Sequence, residues 1–377
     1  MTDHEIEDEF EGDAADWQSW EEDLNVARDQ AEPLDLSQNE RKLVTQPYDL
    51  GVKGIADDIR RGRLKLEVEY QRKYVWDQGK ASRLIESLLL NVPIPVCYFA
   101  EDESGNYEVI DGLQRLTTIR DYLNDDFGLT GVSVLRELDG LRFSDLAPRD
   151  QRRLENRTIR CIVVTEESHP DIKFDVFERL NTGAASLTAQ ELRNCLYRGT
   201  FNDHLKQMAE MPSFLRLMGT SSNRRMEHEE LILRFLALTA DLSSYRPPLR
   251  QFLNAYMRKN RANAPDPKLV EVFRETCDAV WVVLGDTVFR TTNSRRAVHK
   301  ALFDAIMVSI AFADREALLT NASCVREARS VLLEDTEFLA TIARATADRV
   351  RMMGRIHMFA AKLRDCGITV NLPEING

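Results

Sequence analysis

"VIDGLQRLTTIRDYL", residues 109–123, decides how the first half of the chain folds. Val109 and Ile110 are β-branched and run into Asp111-Gly112, after which Leu113, Leu116, Ile119 and Leu123 recur at helical spacing. The pattern predicts a strand, a tight turn and a helix. Such a junction aims the first N–H groups of the helix at whatever sits above the turn, and Gln114 and Arg115 occupy the same end. Backbone donors, a helix N-terminus and a guanidinium together suit an anion. On this reading Asp111 fixes the turn or helps place a metal ion, Gly112 supplies backbone freedom, and Thr117 and Thr118 add hydroxyls on the first helical turns. Asp-Gly is also the commonest hairpin signal, so these residues by themselves are equally compatible with a plain turn.

Outward from this stretch the pattern is mixed. "IADDIRRGRL" reads as a short helix, "LEVEYQ" as an alternating strand, and "DQGKASRLIESLLLN" as a helix capped by Asp77 that must stop before Pro93 and Pro95. "VCYFAEDESGNYEVID" reads as a hairpin, and "IRCIVVTEE" as a further strand followed by the helix "HPDIKFDVFERLN". Long helical patterns dominate beyond about residue 200, as in "EHEELILRFLALTA" and "RRAVHKALFDAIMVSIAFA". The expected fold class is α+β: an acidic tail over residues 1–35, a mixed domain over 36–200 and an all-helical domain over 201–377.

The formal charge of −12 over 377 residues is unevenly placed. Residues 1–27 hold eleven acidic residues and no Lys or Arg, which leaves −1 on the other 350. The tail reads either as a solvated acidic segment or as one that competes for a basic groove or docks on a partner. No apolar run reaches the roughly 18 residues needed to span a bilayer, and the N-terminus lacks the basic patch and apolar stretch of a signal peptide, so a cytoplasmic protein with no membrane partner is expected. Six cysteines lie far apart, with no CxxC and no His at zinc-site spacing, and read as reduced core residues.

Two further islands combine polar chemistry with breaks in structure. "EYQRKYVWD", residues 69–77, places Tyr70, Gln71, Arg72 and Trp76 near a strand end, where an aromatic can stack on a base and Arg72 can pair with a phosphate or carboxylate; an edge strand with a core Trp fits equally. In "VFERLNTGAASLTAQELRNCLYRG", residues 176–199, a helix carrying Arg179 breaks at Asn181-Thr182-Gly183, and Thr188-x-x-Glu191 has the spacing of a capping box. That island is either a ligand-lining loop or an ordinary capped connection.

The ordered set "YQRKYVW", "LIESLLLNVPIP", "VIDGLQRLTTI" and "FERLNTGAASLTAQELRN" resembles the DGQQR-motif family, which includes the N-terminal halves of GmrSD-type modification-dependent restriction enzymes and of SspE-like phosphorothioate-sensing proteins. The resemblance covers about residues 40–200 and implies a ParB/sulfiredoxin-like domain that binds and hydrolyses a nucleoside triphosphate with Mg2+. It assigns Asp111, Gln114 and Arg115 to catalysis, and Tyr70, Gln71, Arg72, Gly112, Thr117, Arg179, Asn181 and Thr182 to nucleotide binding, with no protein-held metal. Leu113 stands where the family carries a side-chain amide, so binding is expected to survive while hydrolysis weakens. The His-Asn-His nuclease pattern of restriction members is not found around His204, His228, His299 or His357, and the chain resembles the stand-alone form of the family.

These readings converge on a nucleotide-binding, weakly hydrolysing sensor or regulator in bacterial defence against foreign DNA. The expected partners are a nucleoside triphosphate, DNA at the basic stretches 149–160, 246–261 and 289–300, and a protein encoded nearby. Two alternatives stand beside this: a DNA-nicking enzyme, and a non-enzymatic interaction or antitoxin-like module.

Overall fold

The computed structural model describes residues 41–66, 76–102, 104–180, 187–219, 223–285, 288–290, 298–343 and 346–373. They fall into two units, one within residues 35–197 and one within 198–377.

The first unit is built on five described strands, β1 (Thr45–Gly51), β2 (Leu64–Lys65), β3 (Cys97–Glu101), β4 (Tyr107–Asp111) and β5 (Thr158–Val164), in the order β1-β5-β3-β4-β2. β1 lies antiparallel to β5, and β3 runs parallel to β5 with Cys97 opposite Cys161. β3 and β4 form the expected hairpin, with Phe99 opposite Val109. Its turn is held by Asp102, whose carboxylate accepts the N–H groups of Ser104 and Asn106 and pairs with Lys65 at 2.9 Å. β1 escapes sequence reading because Pro47 interrupts its pattern; a proline without an N–H is tolerated there because β1 is an edge strand.

Helices cover both faces of this sheet. On one, α1 (Val52–Arg60), α2 (Gln78–Leu90), α3 (Leu113–Leu123) and α4 (Pro148–Glu155) bring Val52, Ile85, Leu116, Ile119 and Leu154 against Phe99, Val109 and Cys161. On the other, α5 (Pro170–Leu180) and α6 (Ala189–Leu196) pack Phe174, Phe177 and Leu192 against Ala100, Ile110 and Val164. Caps follow the sequence: the Asp77 carboxylate accepts from the Lys80 N–H at 2.7 Å, and Thr188 and Glu191 form the reciprocal box of α6. Glu86, a charge inside an apolar helix, is buried because its carboxylate accepts the N–H groups of Ser133, Val134 and Leu135 and pins that loop to α2.

The second unit contains ten described α-helices and is the all-helical half that the periodicity predicts. Its central helix, Lys300–Ala311, is buried along nearly its whole length. That helix carries Asp304, which accepts from Arg234 Nε at 2.9 Å and from Arg355 Nη2 at 2.8 Å. One expectation is corrected here. Cys324 and Cys366 are joined by a disulfide, with Cα atoms 5.8 Å apart, whereas all six cysteines read as reduced. The helix Ala322–Leu332 packs against Arg349–Asp365, so residues 42 apart in sequence become neighbours that spacing rules cannot see. Cys97, Cys161, Cys195 and Cys277 are outside the disulfide and buried, as core cysteines.

Candidate functional site

β4 ends at Asp111, and the chain turns through Gly112 at φ 103° into α3. A Cβ on Gly112 would lie 2.5 Å from Cys97 Sγ, so glycine is demanded both by the left-handed backbone and by the packing beneath it. Gly112, the N-cap of α3, brings no side chain to cap it, and the first intrahelical bond runs from the Leu116 N–H to the Gly112 carbonyl at 2.9 Å. The N–H groups of the first turn therefore lie ahead of the ladder and carry the positive end of the helix dipole.

Arg115 turns inward. Its side chain is 10% exposed; Nη2 donates to Asp111 Oδ2 at 2.8 Å, and Nη1 donates to the carbonyls of Pro95 and, at 3.4 Å, Val96. One guanidinium thus laces the end of β4, the start of α3 and the linker into β3. Asp111 keeps an outer edge in solvent, its side chain being 46% exposed. Leu113 is half-buried and packs on the core. Gln114 Oε1 accepts from the Trp76 N–H at 3.4 Å, bringing the second island's Trp beside the turn. Thr118 is buried with its hydroxyl donating to the Gln114 carbonyl at 2.7 Å, while Thr117 is half-buried on the same helix. Below the turn Cys161 faces Cys97 across the sheet, with its Sγ donating to the Ile159 carbonyl at 3.6 Å; the neighbouring Cys97 thiol and burial hold it protonated, well above its ordinary range.

Asp111, Gly112, Gln114, Arg115 and Thr117 are therefore gathered within one strand-turn-helix junction. Arg179 is placed differently: it is 77% exposed on α5 and pairs with Asp175 at 2.9 Å, and no contact among the described residues brings it to the Asp111 turn. Tyr70, Gln71, Arg72, Asn181 and Thr182 lie outside the described residues. Sequence reading missed the Pro95 and Val96 carbonyls and Cys97 as parts of this site. The proline-rich "VPIPV" signalled a helix stop, and nothing local marked its carbonyls as acceptors for a residue 20 positions away.

Among the described residues no three His, Cys, Asp or Glu side chains are grouped to hold a metal ion. Asp111 offers one carboxylate with an exposed edge, which fits Mg2+ arriving on a substrate's phosphates, a mode that needs one or two protein carboxylates. No described helix is long and apolar enough to cross a membrane.

Residues 52–198 match the family model of the GmrSD restriction endonuclease N-terminal domain. The first unit carries a GmrSD N-terminal domain. No curated protein matches the chain. The GmrSD-type domain opens at α1 and closes after α6, so the Asp111–Arg115 junction lies well inside it. β1 and the helices of the second unit fall outside the matched residues.

Of the basic stretches, 149–160 forms α4 and the start of β5, with Arg149, Arg152 and Arg153 exposed. Thr291 to Arg296 lie outside the described residues.

Proposed function

We propose that the GmrSD-type domain binds a nucleoside triphosphate, delivered with Mg2+, at the Asp111–Arg115 junction, and that the protein uses this site as a sensor or regulator in defence against foreign DNA. The family match supports the defence role. The observation that carries the site is the turn itself: an obligatory glycine opens the backbone and brings no capping side chain, a helix N-terminus follows, and a half-exposed Asp111 stands beside it. Phosphate oxygens accept from the first-turn N–H groups, Asp111 meets the substrate's Mg2+, and Arg115 holds the cradle in shape while lending its charge from below. Leu113 brings no group to orient an attacking water, so turnover is slow.

Calorimetric titration with ATP, GTP and CTP in Mg2+ tests this. The wild type is expected to bind at least one of them saturably, and Asp111→Ala to weaken binding tenfold or more with an unchanged circular dichroism spectrum. Leu113→Gln is expected to raise phosphate release. Failure of the wild type to bind any of the three removes the reading.

Direct contact with DNA is favoured by a separate observation. Arg149, Arg152 and Arg153 share one exposed face of α4, and none of the three has a carboxylate partner among the described residues, whereas Arg63, Arg160 and Arg179 are paired with Asp58, Asp49 and Asp175. Three free guanidiniums at i, i+3 and i+4 suit successive phosphates. Replacing all three with Gln is expected to lower the slope of log affinity against log salt by about 2–3 for duplex DNA. An unchanged slope dismisses this face as a DNA contact.

A further inference from the structure

Beside the junction lies a cavity of about 320 Å3 lined by Trp76, Gln78, Ala81, Asp121, Asp126 and Phe127. We infer that this cavity receives the ribonucleoside end of the ligand, with the base against Trp76 and the ribose hydroxyls donating to Asp121 and Asp126. The inference rests on the phosphate-binding reading of the turn and extends it to the part of the ligand that the turn does not touch.

Two features bring the cavity near the turn. Gln114 and Asp121 are seven residues apart on α3, two turns along one face, so the cavity begins about 10 Å from the first helical turn. A triphosphate and its sugar bridge that span. The Trp76 N–H donates to Gln114 Oε1 at 3.4 Å, so a residue that lines the cavity also meets the turn. The volume lies at the lower end of the roughly 300–1,000 Å3 usual for small-molecule sites.

The lining chemistry selects the class of ligand. Trp76 and Phe127 supply aromatic surface, and Phe127 is fixed by packing on Tyr122 with ring centroids 5.3 Å apart. Asp121 is neutralised by Arg120 at 2.7 Å, and Asp126 is exposed with no ion partner among the described residues. Ionised carboxylates only accept, so the ligand must bring donors; a vicinal diol brings two, and carboxylate recognition of ribose hydroxyls is a recurrent solution. Phosphates are repelled from the same rim, which orients the ligand with its charged end at the helix N-terminus.

The test compares ATP, 2′-deoxy-ATP and inorganic tripolyphosphate, each with Mg2+, by calorimetry on wild type, Asp126→Asn and Trp76→Leu. The wild type is expected to bind ATP at least tenfold more tightly than tripolyphosphate and to prefer the ribose form. Asp126→Asn, a change at an exposed residue, is expected to reduce the preference for ATP over 2′-deoxy-ATP, and Trp76→Leu to bring ATP down to the affinity of tripolyphosphate, with tripolyphosphate binding itself unchanged. Equal wild-type affinity for ATP and tripolyphosphate overturns the nucleoside pocket and leaves the phosphate-binding turn standing. So does an ATP preference that both variants retain. Absence of binding by both ligands overturns the turn reading, and the pocket with it.

Discussion

Arg115 and Asp111 are bonded across the turn they flank, Nη2 to Oδ2 at 2.8 Å, while the other guanidinium nitrogen is spent on the Pro95 and Val96 carbonyls. Removing the side chain strands two carbonyls next to the core and unties three segments. Arg115→Ala is expected to cost about 2–4 kcal/mol of stability, from lost charge-assisted bonds and unsatisfied acceptors. Urea unfolding of the wild type and variant measures it. Loss of ligand binding in this variant has meaning for the site only when folding is intact, which makes Asp111 and Asp126 the cleaner probes.

Gly112 carries two separate demands, a φ of 103° and a Cβ position 2.5 Å from Cys97 Sγ. Gly112→Ala is expected to destabilise by roughly 3 kcal/mol or more, combining the left-handed backbone penalty of about 1–2 kcal/mol with overpacking of about 1–3 kcal/mol. The double variant with Cys97→Ala recovers the packing part and retains the backbone part. A double-mutant cycle therefore shows a favourable coupling between the two sites; strict additivity contradicts the close approach.

Asp304 holds two buried arginines, Arg234 and Arg355, in the second unit. Asp304→Ala leaves both guanidiniums without that carboxylate and is expected to cost about 3–5 kcal/mol, the usual consequence of breaking a buried ion pair from one side. Thermal unfolding followed by circular dichroism should show a large drop in the melting temperature of the helical unit. A shift of under 2 °C would contradict this network as a structural element.

His228 is buried at the start of the helix Glu227–Asp241, with its ring edge-on to Phe214, and burial holds its pKa below the ordinary 6.5. The folded state therefore prefers the neutral ring. The contribution of His228 to stability is complete above pH 6.5 and declines as pH falls through the lowered value. His228→Gln should flatten the loss of stability between neutral and mildly acidic pH, measured as denaturant midpoints across that range. An identical pH profile in the variant contradicts the assignment.

The legible and illegible parts of this protein divide by range of interaction. The strand, glycine turn and helix of 109–123, the Asp77 cap and the Thr188–Glu191 box are set by residues within a few positions of each other, and each is found where its local chemistry puts it. What pairs across the sheet is set at a distance. β1 was hidden by Pro47, and α4 by a run of arginines with Leu154 as its buried residue. The inward turn of Arg115 depends on carbonyls 19 and 20 residues earlier, and the Cys324–Cys366 bond on two helices meeting 42 residues apart. The local motif singles out Arg115 and Gly112, but a sequence cannot say whether an arginine faces a ligand or braces the turn that faces it.

Amide hydrogen exchange across residues 109–123, with and without ATP and Mg2+, reads the turn itself. Slowed exchange is expected, confined to the first turn of α3 at Leu113 through Arg115, where N–H groups donate to phosphate oxygens. Calorimetrically saturated binding with no protection in that turn would place the nucleotide elsewhere and contradict binding at this turn.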